Sequence, residues 1–262
     1  MAEFQMTLMD RQRIARDTMA FWFDTNGARY QFRAGQHADF TLLHPSPKHE
    51  GGNSRTFSLA NSPQDKGQVM IALRMRETGF KTALKAAALG TKLLVSRPTG
   101  SFTLHKDAKR PAVFLAGGIG ITPMRSILHW AAQERLPHKL YLFYSNRYLE
   151  HAAFLGELED LAVQNPSFKF IPTLTGVESP AWPYEHGAID HGLLTRYLRS
   201  LRGPVYYAAG PSGMVAAMTG LLHSAGVSDD DIKTEEFGDY KQYQSPRQMS
   251  RAAMRCSTQS GR

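Results

Sequence analysis

The chain has 262 residues, is 42% hydrophobic, and carries a formal net charge of +8 and a single cysteine. That length suits one large or two modest domains with a real core, while the lone Cys256 excludes an intramolecular disulfide framework and a cluster held by several cysteines. Five of the positive charges, Lys241, Arg247, Arg251, Arg255 and Arg262, stand beyond Tyr240 with no acidic residue among them, so the first 240 residues carry only +3, a mild excess that suits anionic cofactors or an acidic partner and not a nucleic-acid module.

The opening MAEFQMTLMDRQ holds Glu3 and Asp10 and lacks an apolar core of signal-peptide length, and no later run approaches a membrane span, so a soluble cytoplasmic protein is expected. Residues 4–14 alternate loosely, 18–24 hold Phe21, Trp22 and Phe23, and Asn26-Gly27 is a turn of the hairpin type. Residues 32–40 form a further strand candidate, and 44–53, with two prolines and two glycines, read as a mobile loop. Strand candidates follow at 55–59 and 69–75, a helical pattern at 79–89, and two more strands at 91–95 and 101–104. Six or so strands with one short helix, ahead of any β–α alternation, predict a closed antiparallel β-barrel over residues 1–106.

After a charged linker at 106–110 the rhythm changes. The run AVFLA at 112–116 has the content of a buried parallel strand and leads straight into Gly117, Gly118 and Gly120, with a helical pattern from Thr122 and Pro123. Glycines let the backbone turn sharply and let a ligand approach, and a helix start offers unpaired N–H groups to a phosphate, so an anion site is expected here. The spacing departs from GxGxxG, and a single glycine turn also suits an ordinary tight loop. Strands at 139–144, 168–174, 205–209 and 232–237 alternate with helices at 152–164, 192–201 and beyond Gly210-Pro211-Ser212-Gly213, which predicts a parallel-sheet α/β domain over 111–240. Both glycine turns fall at carboxyl ends of strands, where such sheets bind ligands. The ten histidines show no metal-ligand spacing, and the basic tail 241–262, without apolar periodicity, is expected to be disordered.

A barrel carrying RTFS, followed by an α/β domain carrying GGIGITP and AGPSG, resembles the ferredoxin–NADP reductase superfamily over about residues 4–240. The resemblance implies a Greek-key barrel that binds flavin and a Rossmann-like domain that binds NAD(P). Arg55, Thr56, Phe57 and Ser58 match the stretch that lines the flavin, with Arg55 on a phosphate oxygen, Phe57 against the ring system in place of the usual tyrosine, and the Ser58 hydroxyl near the reactive nitrogen. Gly79 and Thr82, with Arg74 and Lys81 beside them, are implied to hold a pyrophosphate, which favours FAD over FMN. Gly117, Gly118, Gly120, Thr122 and Pro123 match the first nicotinamide dinucleotide motif, and Gly210 and Pro211 the second, with Ala209 where a cysteine commonly stands. Glu236 and Phe237 match the acidic residue and aromatic of the last strand, and Tyr240 is a second candidate for that aromatic. Arg147 is a candidate for the extra phosphate that separates NADPH from NADH.

The resemblance implies an NAD(P)H-dependent flavoprotein reductase, with Ser58 and Glu236 catalytic, that passes electrons through FAD to an external one-electron acceptor such as an acidic ferredoxin or a haem protein. A flavin or ferric reductase that needs no protein partner is the alternative within enzymes, and a flavin- or nucleotide-holding module without turnover is the alternative outside them.

Overall fold

A computed structural model describes residues 3–43, 52–76, 79–176 and 182–237. Most of the expected loop at 44–53, Tyr240 and the basic tail with Cys256 lie outside the described residues.

The first domain is built from β1 (Glu3–Ala15), β2 (Thr18–Asp24), β3 (His37–Leu42), β4 (Ser54–Ser58), β5 (Gln68–Arg74), α1 (Gly79–Ala86) and β6 (Lys92–Ser96). The strands pair antiparallel in the order β4-β3-β6-β1-β2-β5. The two outer strands meet again where the Ala60 N–H donates to Met70 O at 2.8 Å. Alternation along the strands turns Met6, Leu8, Phe21, Phe23, Phe40 and Val69 into one core, which Phe80 and Leu84 of α1 cover.

The second domain adds β7 (Ala112–Gly117), α2 (Ile121–Gln133), β8 (Leu140–Asn146), α3 (Leu155–Gln164), β9 (Phe168–Leu174), β10 (Glu185–His186), α4 (His191–Tyr197), β11 (Val205–Gly210), α5 (Ser212–Ser224) and β12 (Ile232–Glu236). Its sheet is parallel, in the order β10-β9-β8-β7-β11-β12. Every residue of β7 and β11 is buried, as two-sided cover requires. Phe114 and Tyr207 face α2 and the linker on one side, while Val113 and Tyr206 face α4 and α5 on the other.

Two expected strands differ from the fold, and one short strand was not expected. The strand expected at 32–40 starts only at His37, because positive φ at Asn26, Gly27 and Gly35 carries 25–36 outside the ladder. The strand expected at 101–104 is an irregular connection whose Phe102 and Leu104 are buried against the second domain, with Lys233 Nζ donating to Thr103 O at 2.7 Å. The two-residue edge strand β10 carries too little pattern to be read from sequence. Among the described residues no helix is long and apolar enough to cross a membrane.

Candidate functional site

The carboxyl ends of β7 and β11 bring the two glycine turns together. A Cβ on Gly120 would lie 2.3 Å from Ala209 O, and one on Gly117 would lie 2.3 Å from Met214 Sδ. Gly210, at φ +155, has Gly117 Cα 3.0 Å from where its own Cβ would stand. Gly120 and Gly210, which meet backbone, are therefore required so that the turns can pack on each other, whereas at Gly117 the Met214 side chain could give way. Gly118 differs: its φ is +52 and nothing would crowd a side chain there, so it borders open space. The helix that follows starts without a side-chain cap, and so does α5 behind Pro211. Two helix starts without side-chain caps thus sit on one rim, where the positive ends of the helix dipoles suit phosphate. Thr122 and Pro123 are buried, and the Thr122 hydroxyl donates to Ile119 O at 3.0 Å, so both shape the turn from within.

The barrel meets this rim at β4. Ser58, the last residue of β4 and 3% exposed, donates its hydroxyl to Glu235 Oε1 at 3.0 Å. Glu235 lies on β12 opposite Ala209, and Phe237 N–H donates to Gly210 O at 2.8 Å, so Ser58 meets the sheet beside the strand end that carries the second glycine turn. Burial pushes the Glu235 carboxyl up to about 7, against the lowering effect of the Ser58 hydroxyl. Its second oxygen, Oε2, is buried without a hydrogen-bond partner among the described residues. His37 Nδ1 stands 3.7 Å from Oε1, and burial lowers that imidazole more than Asp39 raises it.

The resemblance assigns the acid to Glu236, whereas the side chain that meets Ser58 is that of its neighbour Glu235. Successive strand residues face opposite ways, so Glu236 is exposed while Glu235 turns to Ser58. Phe57, implied by the resemblance to lie against the flavin, packs its ring between Phe40 and Phe80 in the barrel core, at centroid distances of 5.9 and 5.7 Å. His37 had no signal in the sequence beyond being one histidine of ten.

The remaining candidates gather where β4 and α1 adjoin. Arg55 lies over the Phe80 ring at 5.9 Å and donates Nη1 to Ser54 O at 2.7 Å. Lys81 Nζ donates to the backbone oxygen of Arg74 at 2.7 Å. Burial, then the charges of Arg76 and Arg55, push the Lys81 ammonium down to about 8. Cations crowded to that degree form a donor set suited to a pyrophosphate. Gly79 opens α1 and Thr82 is exposed on its first turn, while the exposed Thr56 hydroxyl bonds Asp39. Arg147 follows β8 on the other side of the rim, exposed, with its guanidinium 5.5 Å over the Tyr148 ring.

Comparison with known proteins agrees with this division. Residues 5–104 match the oxidoreductase FAD-binding domain and residues 114–219 the oxidoreductase NAD-binding domain. The chain is 31% identical over 199 residues to a component of the Na(+)-translocating NADH-quinone reductase of Klebsiella pneumoniae, a match covering 70% of this chain and 49% of that relative. It is 29% identical over 210 residues to the phenol hydroxylase P5 protein of Acinetobacter pittii, covering 79% of this chain and 58% of that one. The chain thus spans about half the length of the curated relatives it matches. Its fold is similar to the Amycolatopsis cytochrome P450 reductase GcoB, with a TM-score of 0.78 at 24% identity over 91% of this chain and 70% of that one. It is also similar to a ferredoxin NADP+ reductase from Neisseria gonorrhoeae with bound FAD and NADP, with a TM-score of 0.75 at 18% identity over 89% and 98% of the two chains. With both domain models matched in order on an antiparallel barrel and a parallel sheet, the chain belongs to the ferredoxin–NADP reductase family of FAD- and NAD-binding oxidoreductases.

Proposed function

We propose that the chain takes a hydride from NADH or NADPH onto FAD and delivers electrons one at a time to an external acceptor, with a ferredoxin or a haem protein as the acceptor class. Bound FAD supplies the ability to take two electrons together and release them singly. The protein's part is to hold both partners in one dry cleft and to place donors and a proton at its wall. Arg55, Arg74, Gly79, Lys81 and Thr82 supply the cations, amides and hydroxyl that would hold the flavin pyrophosphate, with Thr56 alongside. Gly118 and the uncapped starts of α2 and α5, behind Gly117, Gly120, Gly210 and Pro211, would hold the nicotinamide dinucleotide. Arg147 would reach a ribose phosphate if NADPH is the donor, and Phe237 would cover the site from the sheet side.

The observation that carries this reading is the hydrogen bond from Ser58 to Glu235, which joins the barrel strand expected to line the flavin to the last strand of the sheet. Glu235, half protonated near neutral pH, can hold or release a proton at Oε1, while the Ser58 hydroxyl stays oriented toward the cleft wall. Kinship in fold to a cytochrome P450 reductase and to a ferredoxin NADP+ reductase supports a one-electron acceptor, while the identity shared with part of an NADH-quinone reductase supports NADH as the donor. Anaerobic addition of NADH or NADPH to the FAD-loaded chain tests the first half-reaction by loss of the yellow colour. Turnover with a ferredoxin, a haem protein, free flavin and a ferric chelate then tests the second, and preference for free flavin or the chelate would favour the partner-independent alternative.

A further inference from the structure

The helix α2 starts at the first glycine turn and lies along residues 60–65, the segment that continues from Ser58. Arg125 Nη1 donates to Ala60 O at 2.6 Å, and Ser126 Oγ donates to Asn61 O at 2.6 Å. Near the helix end, Gln133 Nε2 donates to Asp65 Oδ1 at 3.1 Å, and Gln64 bonds the Glu134 carboxylate. Asn61 passes the grip into the barrel, because its Oδ1 accepts from Met70 N–H at 2.9 Å.

Arg125 is built into this seam. Its side chain is 13% exposed, with Nη2 donating to Glu157 Oε2 at 3.0 Å and Nε in ion-pair contact with Oε1 at 2.7 Å. The guanidinium lies 4.8 Å over the ring of Phe154, which holds φ +62 at the start of α3. A non-glycine residue in the left-handed region costs energy, and here that backbone delivers the ring to the arginine. His129 closes on the same carboxylate. Burial by itself would raise Glu157, but the contacts from His129 and Arg125 outweigh it and hold the carboxyl below its ordinary value. Nε of Arg125 makes its contact with Glu157 without a hydrogen bond, yet a guanidinium held by Ala60 O, the Glu157 carboxylate and the Phe154 ring is a stiff spacer.

We propose that Arg125 is a positioning residue: braced by Glu157 and Phe154, it fixes the start of α2 against the strand end at Ser58, so that the nucleotide pocket and the flavin pocket are preassembled at a set separation. The inference rests on the hydride transfer proposed above. It departs from a general packing role in what a variant would lose, since a misplacement of about 1 Å away from the chemistry can cost on the order of 100-fold in rate while leaving binding contacts in place.

The test compares the full-length, FAD-loaded wild type with Arg125→Gln, Arg125→Lys and Ser126→Ala. Arg125→Gln is expected to lower the limiting rate of flavin reduction by about 10- to 100-fold with the nucleotide dissociation constant within about threefold. The primary isotope effect with deuterated nicotinamide is expected to become more temperature-dependent, and the amides of Leu59 and Ala60 to exchange faster. Arg125→Lys, which keeps the charge but not the fork, is expected to fall between, and with Ser126→Ala it carries the test if Arg125→Gln does not fold. Lower thermal stability with wild-type limiting rate, isotope effect and exchange overturns the proposal. If the wild type transfers no hydride, the functional reading fails, while the exchange at 59 and 60 still decides whether Arg125 braces the seam.

Discussion

Ser58 and Glu235, 177 residues apart in sequence, share a hydrogen bond of 3.0 Å across the seam between the barrel and the sheet. Ser58 is buried at the end of β4, and Glu235 lies on the less exposed face of β12. Removing one would leave the other buried and less satisfied, which is why the pair is expected to act as a unit.

The register of β12 can be tested by exchanging its two acids separately. Glu235→Gln is expected to lower the limiting rate of flavin reduction by about 10- to 100-fold, whereas Glu236→Gln, at an exposed position, is expected to stay within about twofold of wild type. Equal effects from the two would contradict the facing described above.

Glu235 also sets a pH dependence of stability. Its carboxyl is pushed up to about 7 in the folded protein from an ordinary value of 4.5, so the folded state keeps a proton that the unfolded state releases in between. Stability is therefore lost as pH rises through that window and stays lower above it, by up to about 3 kcal/mol for this group. Urea unfolding at pH 5 and pH 8 is expected to show a larger loss in the wild type than in Glu235→Gln, and parallel losses would count against a protonated Glu235.

Lys81 offers a second titration. With its ammonium pushed down to about 8, a bound pyrophosphate would favour the charged form, so FAD affinity is expected to weaken as pH rises from 7 to 9. Lys81→Met is expected to bind FAD about tenfold more weakly and to flatten that slope. Fluorescence titration of the apoprotein with FAD reads both effects, and an unchanged slope in the variant would remove Lys81 from the phosphate site.

The glycine turn separates packing from ligand contact. Gly120→Ala would drive a methyl against the backbone of Ala209 and is expected to destabilise the domain by several kcal/mol, about 3 or more. Gly118→Ala has open space and only the cost of a positive φ, about 1 kcal/mol, yet is expected to weaken nucleotide binding because its methyl would stand where the ligand approaches. Thermal melts with and without nucleotide distinguish the two.

The strand, turn and helix around Gly117 to Pro123 were legible because an all-apolar strand and a glycine cluster are local properties. The change from antiparallel to parallel architecture was legible from rhythm alone. Which of Glu235 and Glu236 faces Ser58 was not, since a shift of one residue reverses every side chain and two adjacent acids carry no phase. The packing of Phe57 into the core was not legible either, because Phe40 reaches it from the paired strand β3 and Phe80 from α1. Arg125 gave no signal because its partners lie far off in sequence, Ala60 beyond β4 and Phe154 with Glu157 at the start of α3.

The most direct test of a shared hydride site is anaerobic reduction of the bound flavin by NADH and by NADPH in wild type, Ser58→Ala, Glu235→Gln and the double variant. The expected result is reduction in the wild type, a slower limiting rate in each single variant, and a double variant little slower than the worse single one. No reduction of the wild type by either nucleotide, or single effects that simply multiply in the double variant, would contradict a site built jointly by the barrel and the sheet.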